Sequence, residues 1–133
     1  MKDVFELATR YIVPSIRRHL ARELVMRDMV RADAARILGL SRSAITRYIK
    51  SERGAGIRLT RFSDVTRMIE GLATKIMANE LDENQIQERI AEITAYILSK
   101  KYFCSYHKRL DPSIDILRCN LCPTIFAKHG EVS

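Results

Sequence analysis

Apolar residues recur along this chain at intervals of three and four, the spacing of one helix face, which predicts an all-α fold. From Asp3 to about Asp28 the pattern is helical, with a break or bend before Pro14, which lacks an amide but is tolerated at a helix start. Ile16, Leu20, Leu24 and Val25 form the stripe of the helix that Pro14 opens. In Arg31 to Lys50, RADAARILGLSRSAITRYIK, the stripe turns a corner. Ala34, Ala35 and Leu38 give a first helix a narrow face, and Gly39 ends it, because glycine takes positive φ without a Cβ clash. Leu40 is expected to plug the corner, and Ser41 to cap a second helix that starts near Arg42. Its faces separate into apolar Ala44, Ile45, Tyr48 and Ile49 and polar Arg42, Ser43, Thr46, Arg47 and Lys50.

Two further helices are expected. Ser63 is the predicted N-cap of Asp64 to Asn79, with Val65, Met68, Ile69, Leu72, Ile76 and Met77 inward. Asp82 is the predicted cap of Glu83 to about Ser99, with Gln85 at the capping-box position and Ile86, Ile90, Ile93 and Ile97 as the stripe. The pattern divides the chain into an N-terminal helix-turn-helix unit (1–61), a two-helix spacer (62–101) and a short tail (102–133). The isoleucine stripe of the spacer is expected to meet a second subunit at least in part, making a homodimer.

Charge sharpens the picture through its distribution. Residues 1–61 hold 14 Lys and Arg against 6 Asp and Glu, whereas residues 62–133 hold 9 against 10. The basic surplus therefore sits with the helix-turn-helix, as a polyanion partner requires. In the major groove of double-stranded DNA, Arg42, Ser43, Thr46 and Arg47 would face base edges, and Lys50 and Arg53 would meet phosphate. The alternative for the same residues is an ordinary helical hairpin with a solvated basic face.

In the tail Pro112 and Pro123 are expected to interrupt helix, and Cys104-Ser105-Tyr106-His107 and Cys119-Asn120-Leu121-Cys122 form two pairs of ligand-type residues. An x-x spacing turns two side chains onto one ion, so Cys104, His107, Cys119 and Cys122 form a candidate tetrahedral set. Zinc is the expected metal and an iron–sulfur cluster the alternative, with His129 a second candidate for the histidine position. Unliganded cysteines with a surface histidine remain the plain reading of the same positions.

Three cysteines cannot all pair within one chain, and no run is long and apolar enough to span a bilayer, so a soluble cytoplasmic protein is expected. No Gly-rich phosphate loop, HExxH or serine elbow occurs, and no enzyme is expected. A non-regulatory, zinc-containing interaction protein that docks to protein or RNA is the second reading, and a small redox enzyme exchanging disulfides through Cys119 and Cys122 the third.

The order IVPSIRRHLARELV, AARILGLSRSAITRYIKSERG, helical spacer and cysteine-rich tail resembles archaeal predicted transcriptional regulators with a Cro/repressor-type helix-turn-helix. The resemblance covers the first half of the chain well and the tail loosely. It implies sequence-specific DNA binding with Arg42, Ser43, Thr46 and Arg47 in the recognition positions, and a regulatory role.

Overall fold

The computed structural model describes residues 3–50, 57–113, 115, 118, 119 and 121–130, the last four of these as helix backbone only. The side chain of Asp3 accepts from the Phe5 amide at 2.9 Å and opens α1 (Val4–Leu7). The expected break before Pro14 is instead a change of helix type. A π-helical stretch, Ala8–Ile12, runs without interruption into α2 (Val13–Met26), and the Val13 amide donates to the Ala8 carbonyl. Proline withholds one donor from the α-helical ladder, and a wider i→i+5 turn just before it absorbs that loss.

The remaining helices are α3 (Arg31–Leu38), α4 (Arg42–Lys50), α5 (Ser63–Met77), α6 (Glu83–Ser99), α7 (Cys104–Leu110) and α8 (Leu121–Gly130), with a 3-10 turn at Leu59–Arg61. Among the described residues there is no strand, and no helix is long and apolar enough to cross a membrane. Four of the helices end in one motif. After α2, α3, α5 and α6 a residue with positive φ (Asp28, Gly39, Asn79, Lys101) lets the next amide return to a carbonyl in the last turn. Those bonds are Met29 to Leu24, Leu40 to Ala35, Glu80 to Lys75 and Tyr102 to Ile97, at 2.8–3.2 Å.

Side chains fix the starts less uniformly. Asp82 and Gln85 form the expected reciprocal box, with the Asp82 amide donating to Gln85 Oε1 at 2.9 Å and the Gln85 amide donating to Asp82 Oδ1 at 2.8 Å. Ser63 does not cap α5: it is the first helical residue, and Phe62 holds the capping position with no side-chain hydrogen bond. Phe62 is committed elsewhere, stacked on Tyr102 at 4.0 Å between ring centroids. The Tyr96 and Tyr102 hydroxyls both donate to Asp64 Oδ2, at 2.6 and 2.7 Å, and tie the first turn of α5 to the end of α6.

One continuous core joins these elements. Within it α2 packs on α3, α4, α5 and α6, with Ile16, Leu20 and Leu24 fully buried. The isoleucine stripe of α6 is covered inside the chain: Ile86, Ile90, Ile93 and Ile97 are at most 3% exposed, and α6 packs on α8, α5, α2 and α3. Burial of each such side chain contributes about 1.5–3 kcal/mol, so this stripe has no apolar face left for a second subunit. Cover comes largely from α8, which the expectation of a helix-poor tail missed. Pro123 falls in the first turn of α8, where the missing amide costs nothing, and Cys122 and Phe126 join the core.

Candidate nucleic-acid interface

Local bonds set the corner between α3 and α4. Gly39 has φ +66° and ψ +34°, and the Leu40 amide reaches back to Ala35 at 2.8 Å. Leu40 itself is half-buried against the core. Ser41 Oγ accepts from the Ala44 amide at 3.1 Å, the third residue of α4, and so satisfies one of the donors a helix start leaves open. Ala44 and Ile45 are buried, and Tyr48 and Ile49 are half-buried. That inward face turns Arg42, Ser43, Arg47 and Lys50 out to solvent, with Thr46 half-buried.

These outward groups differ in what they have left to offer. Among the described residues neither the Arg42 nor the Arg47 guanidinium takes part in an ion pair or hydrogen bond, so both keep their donors for a ligand. Thr46 donates its hydroxyl hydrogen to the Arg42 carbonyl at 3.1 Å, which leaves its oxygen free only to accept. Ser43 lies 3.1 Å from Ser41, oxygen to oxygen. Arg53 lies outside the described residues.

Beside α4 the fold builds a basic shoulder that periodicity did not single out. A cleft of about 450 Å³ is lined by Arg18, His19 and Arg22 of α2 and by Arg58. The segment Ile57-Arg58-Leu59-Thr60 alternates strictly, with Ile57 and Leu59 buried and Arg58 and Thr60 exposed, and this alternation aims Arg58 outward. Burial, then the neighbouring Arg22, lowers the Arg18 pKa, while the Tyr48 hydroxyl on α4 raises it, which sets Arg18 beside the α4 helix. Burial is also the main cause that holds His19 below its ordinary value, with Arg22 and Arg18 adding to it against Glu23 and Glu70. Of the α2 arginines, Arg17 turns instead toward α6, its Nη2 lying 3.5 Å from Gln87 Oε1. The available sequence signal for the shoulder was the i, i+4 pair Arg18 and Arg22. Arg58 carried none, because its position depends on the chain folding back onto α2.

The cysteine tail is brought together in part. Burial is the chief cause that raises the Cys122 thiol to about 11, with Cys104 and Cys119 adding to the rise and Lys101 opposing it. Cys104 is raised by burial, lowered by Lys101 and raised again by Cys119. Three thiols from α7, α8 and the turn between them thus share one electrostatic neighbourhood. His107 is buried on α7, its ring stacked on Phe103 at 6.0 Å. Among the described residues no group of three such ligands is drawn close enough to hold one ion. The His129 side chain lies outside the described residues. Comparison with known proteins finds no matching family model, no matching curated protein and no matching solved structure.

Proposed function

We propose that the chain is a sequence-specific DNA-binding transcriptional regulator whose α3 and α4 act as a helix-turn-helix, with α4 in the major groove. One observation carries the reading. The solvent face of α4 is made of Arg42, Ser43, Arg47 and Lys50, and among the described residues its two guanidiniums are spent on no carboxylate. Planar forks of this kind match guanine O6 and N7, while Lys50 at the far end of the helix suits phosphate. Support comes also from the shoulder of Arg18, Arg22 and Arg58, which would extend the phosphate contacts along one side of the reading helix.

Selection of duplexes from a random pool, followed by binding curves at several salt concentrations, tests the reading. Arg42→Ala and Arg47→Ala should each cost about 1–3 kcal/mol on the selected duplex and relax the preference at one base pair. Lys50→Ala should weaken selected and random duplexes alike and lower the salt slope by about one ion. Both arginine variants binding the selected duplex as tightly as the parent does, and preferring it over random DNA to the same degree, would refute the proposal.

A homodimer on a palindromic site, with the two α4 helices about 34 Å apart, remains part of the proposal. Because α6 is covered within the chain, the dimer must use another surface. We further propose a zinc ion, or alternatively an iron–sulfur cluster, on Cys104, Cys119, Cys122 and His107. Three thiols and an imidazole are the donor chemistry zinc takes, and the three thiols already lie near one another. Binding would require them to close further, around an ion that clamps α7 to α8. Elemental analysis of anaerobically purified protein decides: metal below about one-tenth of stoichiometry, with all three thiols reacting independently, removes this part of the proposal.

A further inference from the structure

A second cleft, of about 560 Å³, lies where the segment after α4 meets α7, and its lining combines two kinds of side chain. Arg58, Arg61 and Arg109 supply three guanidiniums, and Phe62, Tyr102 and Tyr106 supply aromatic walls. No carboxylate belongs to the lining, and among the described residues none of the three arginines is in an ion pair. Three like charges around one concavity repel each other until an anion enters, and planar guanidinium forks match phosphate oxygens. The aromatic walls are fixed beforehand. Phe62 lies flat on Tyr102 with 11° between the rings, Asp64 pins the Tyr102 hydroxyl, and the Arg109 guanidinium sits 5.0 Å above the Tyr106 ring.

We propose that this cleft binds a free nucleotide, its base against the aromatic walls and its phosphates held by Arg58, Arg61 and Arg109. Size and wall chemistry favour a single nucleotide over a strand. The volume lies within the range of small-ligand sites, and a strand would need aromatic platforms in a row. The adjoining cleft, which shares Ile57 and Arg58, has no Phe or Tyr in its lining. Nucleotide binding here stands whether or not α4 reads DNA, since Arg61, Arg109 and the aromatic residues are outside α4.

Titration calorimetry of the full chain with AMP, ATP, adenosine and inorganic phosphate tests it. AMP and ATP should bind at least about tenfold more tightly than either adenosine or phosphate, because both halves of the ligand are held. Arg61→Ala and Arg109→Ala should each weaken AMP about tenfold or more with unchanged circular dichroism, while Lys75→Ala, a distant exposed change on α5, should leave it as in the parent. Should an alanine variant lose helix, Arg61→Lys and Arg109→Lys replace it, and they should still weaken AMP, since an ammonium lacks the planar fork. Phosphate binding as tightly as AMP would reduce the cleft to a bare anion site. That result, adenosine binding as tightly as AMP, a single-stranded oligonucleotide outcompeting AMP at the same residues, or no heat from AMP at millimolar concentration would each overturn the proposal.

Discussion

Replacing Gly39 with alanine isolates the cost of the corner between α3 and α4. An alanine Cβ built at this position meets nothing within 4 Å, so crowding contributes nothing and only the backbone resists. Holding an L-residue at φ +66° costs about 1–2 kcal/mol. Alanine also narrows the unfolded ensemble relative to glycine, which returns about 0.4–1 kcal/mol. The net loss is therefore about 1 kcal/mol. For a chain of 133 residues, at about 2.1 cal/mol/K of unfolding entropy per residue, that lowers the melting temperature by about 4 °C. Gly39→Asn should lose less, because asparagine tolerates the left-handed region, as Asn79 already does at φ +57°. Thermal and urea unfolding followed by circular dichroism give both numbers. An unchanged or raised melting temperature for Gly39→Ala would show that residue 39 is not held left-handed, and a loss above about 3 kcal/mol would show packing where the cavity around the glycine is open.

Other perturbations have equally definite signs. Ile93→Ala on α6 should cost about 2–5 kcal/mol and leave the oligomeric state in sedimentation as in the parent, whereas a stripe shared between subunits would make the variant dissociate. His19 titrates below its ordinary 6.5 in the folded chain, so the unfolded chain takes up the proton first; stability should fall as pH drops below about 6.5, and His19→Gln should flatten that slope in urea titrations. Tyr96, raised to about 12 chiefly by its hydrogen bond to Asp64, should be missing from a spectrophotometric tyrosine titration stopped near pH 11. Tyr96→Phe should cost about 1.5 kcal/mol, the low end for a charge-assisted bond because Tyr102 still donates to the same oxygen, and an unchanged unfolding midpoint would rule the bond out as a tie between α5 and α6.

What could be read from the chain without coordinates follows from the range of each interaction. Gly39, Ser41 and the Asp82–Gln85 box act within five residues, and the bonds expected of them are present. Helix faces were legible for the same reason: Val65, Ile69, Leu72 and Ile76 point inward as their spacing requires, although Met77 at the helix end is exposed. The partner of a face is not written in its period. The α6 isoleucines would give the same repeat against a second chain or against α8, and only the fold of the tail decides. Proline statistics mislead there, because a proline ends a helix from its interior but is tolerated in the first turn, where Pro123 lies. Three of the four left-handed helix ends went unread, since Asp28, Asn79 and Lys101 are not glycine. The two clefts were least legible of all. Arg58 lies between Ile57 and Leu59 in a segment with no helical period, and Arg109 reaches the second cleft only after α7 folds beside Phe62.

The covered α6 stripe also changes how the tail and α4 are connected. A tail joined to the rest through a subunit interface would act on α4 only by moving one copy relative to the other. Here α8 packs on α6, α6 packs on α3, and α3 turns at Gly39 directly into α4. One helix, α6, thus lies between α8, which carries Cys122, and the helix that precedes the basic face. One surface bond follows the same path, Arg36 to Glu83 at 3.3 Å, but both side chains are about two-thirds exposed, and such pairs contribute at most about 1 kcal/mol. The packing of α3 on α6 is the stronger tie, since Leu38 on α3 and Ile86 and Ile90 on α6 are all buried in the core and each such side chain contributes about 1.5–3 kcal/mol. Close-packed cores transmit displacement because they have no slack to absorb it. Any metal bound or lost at the cysteines would therefore be felt at α3 through apolar packing within one chain, and salt would do little to weaken that connection.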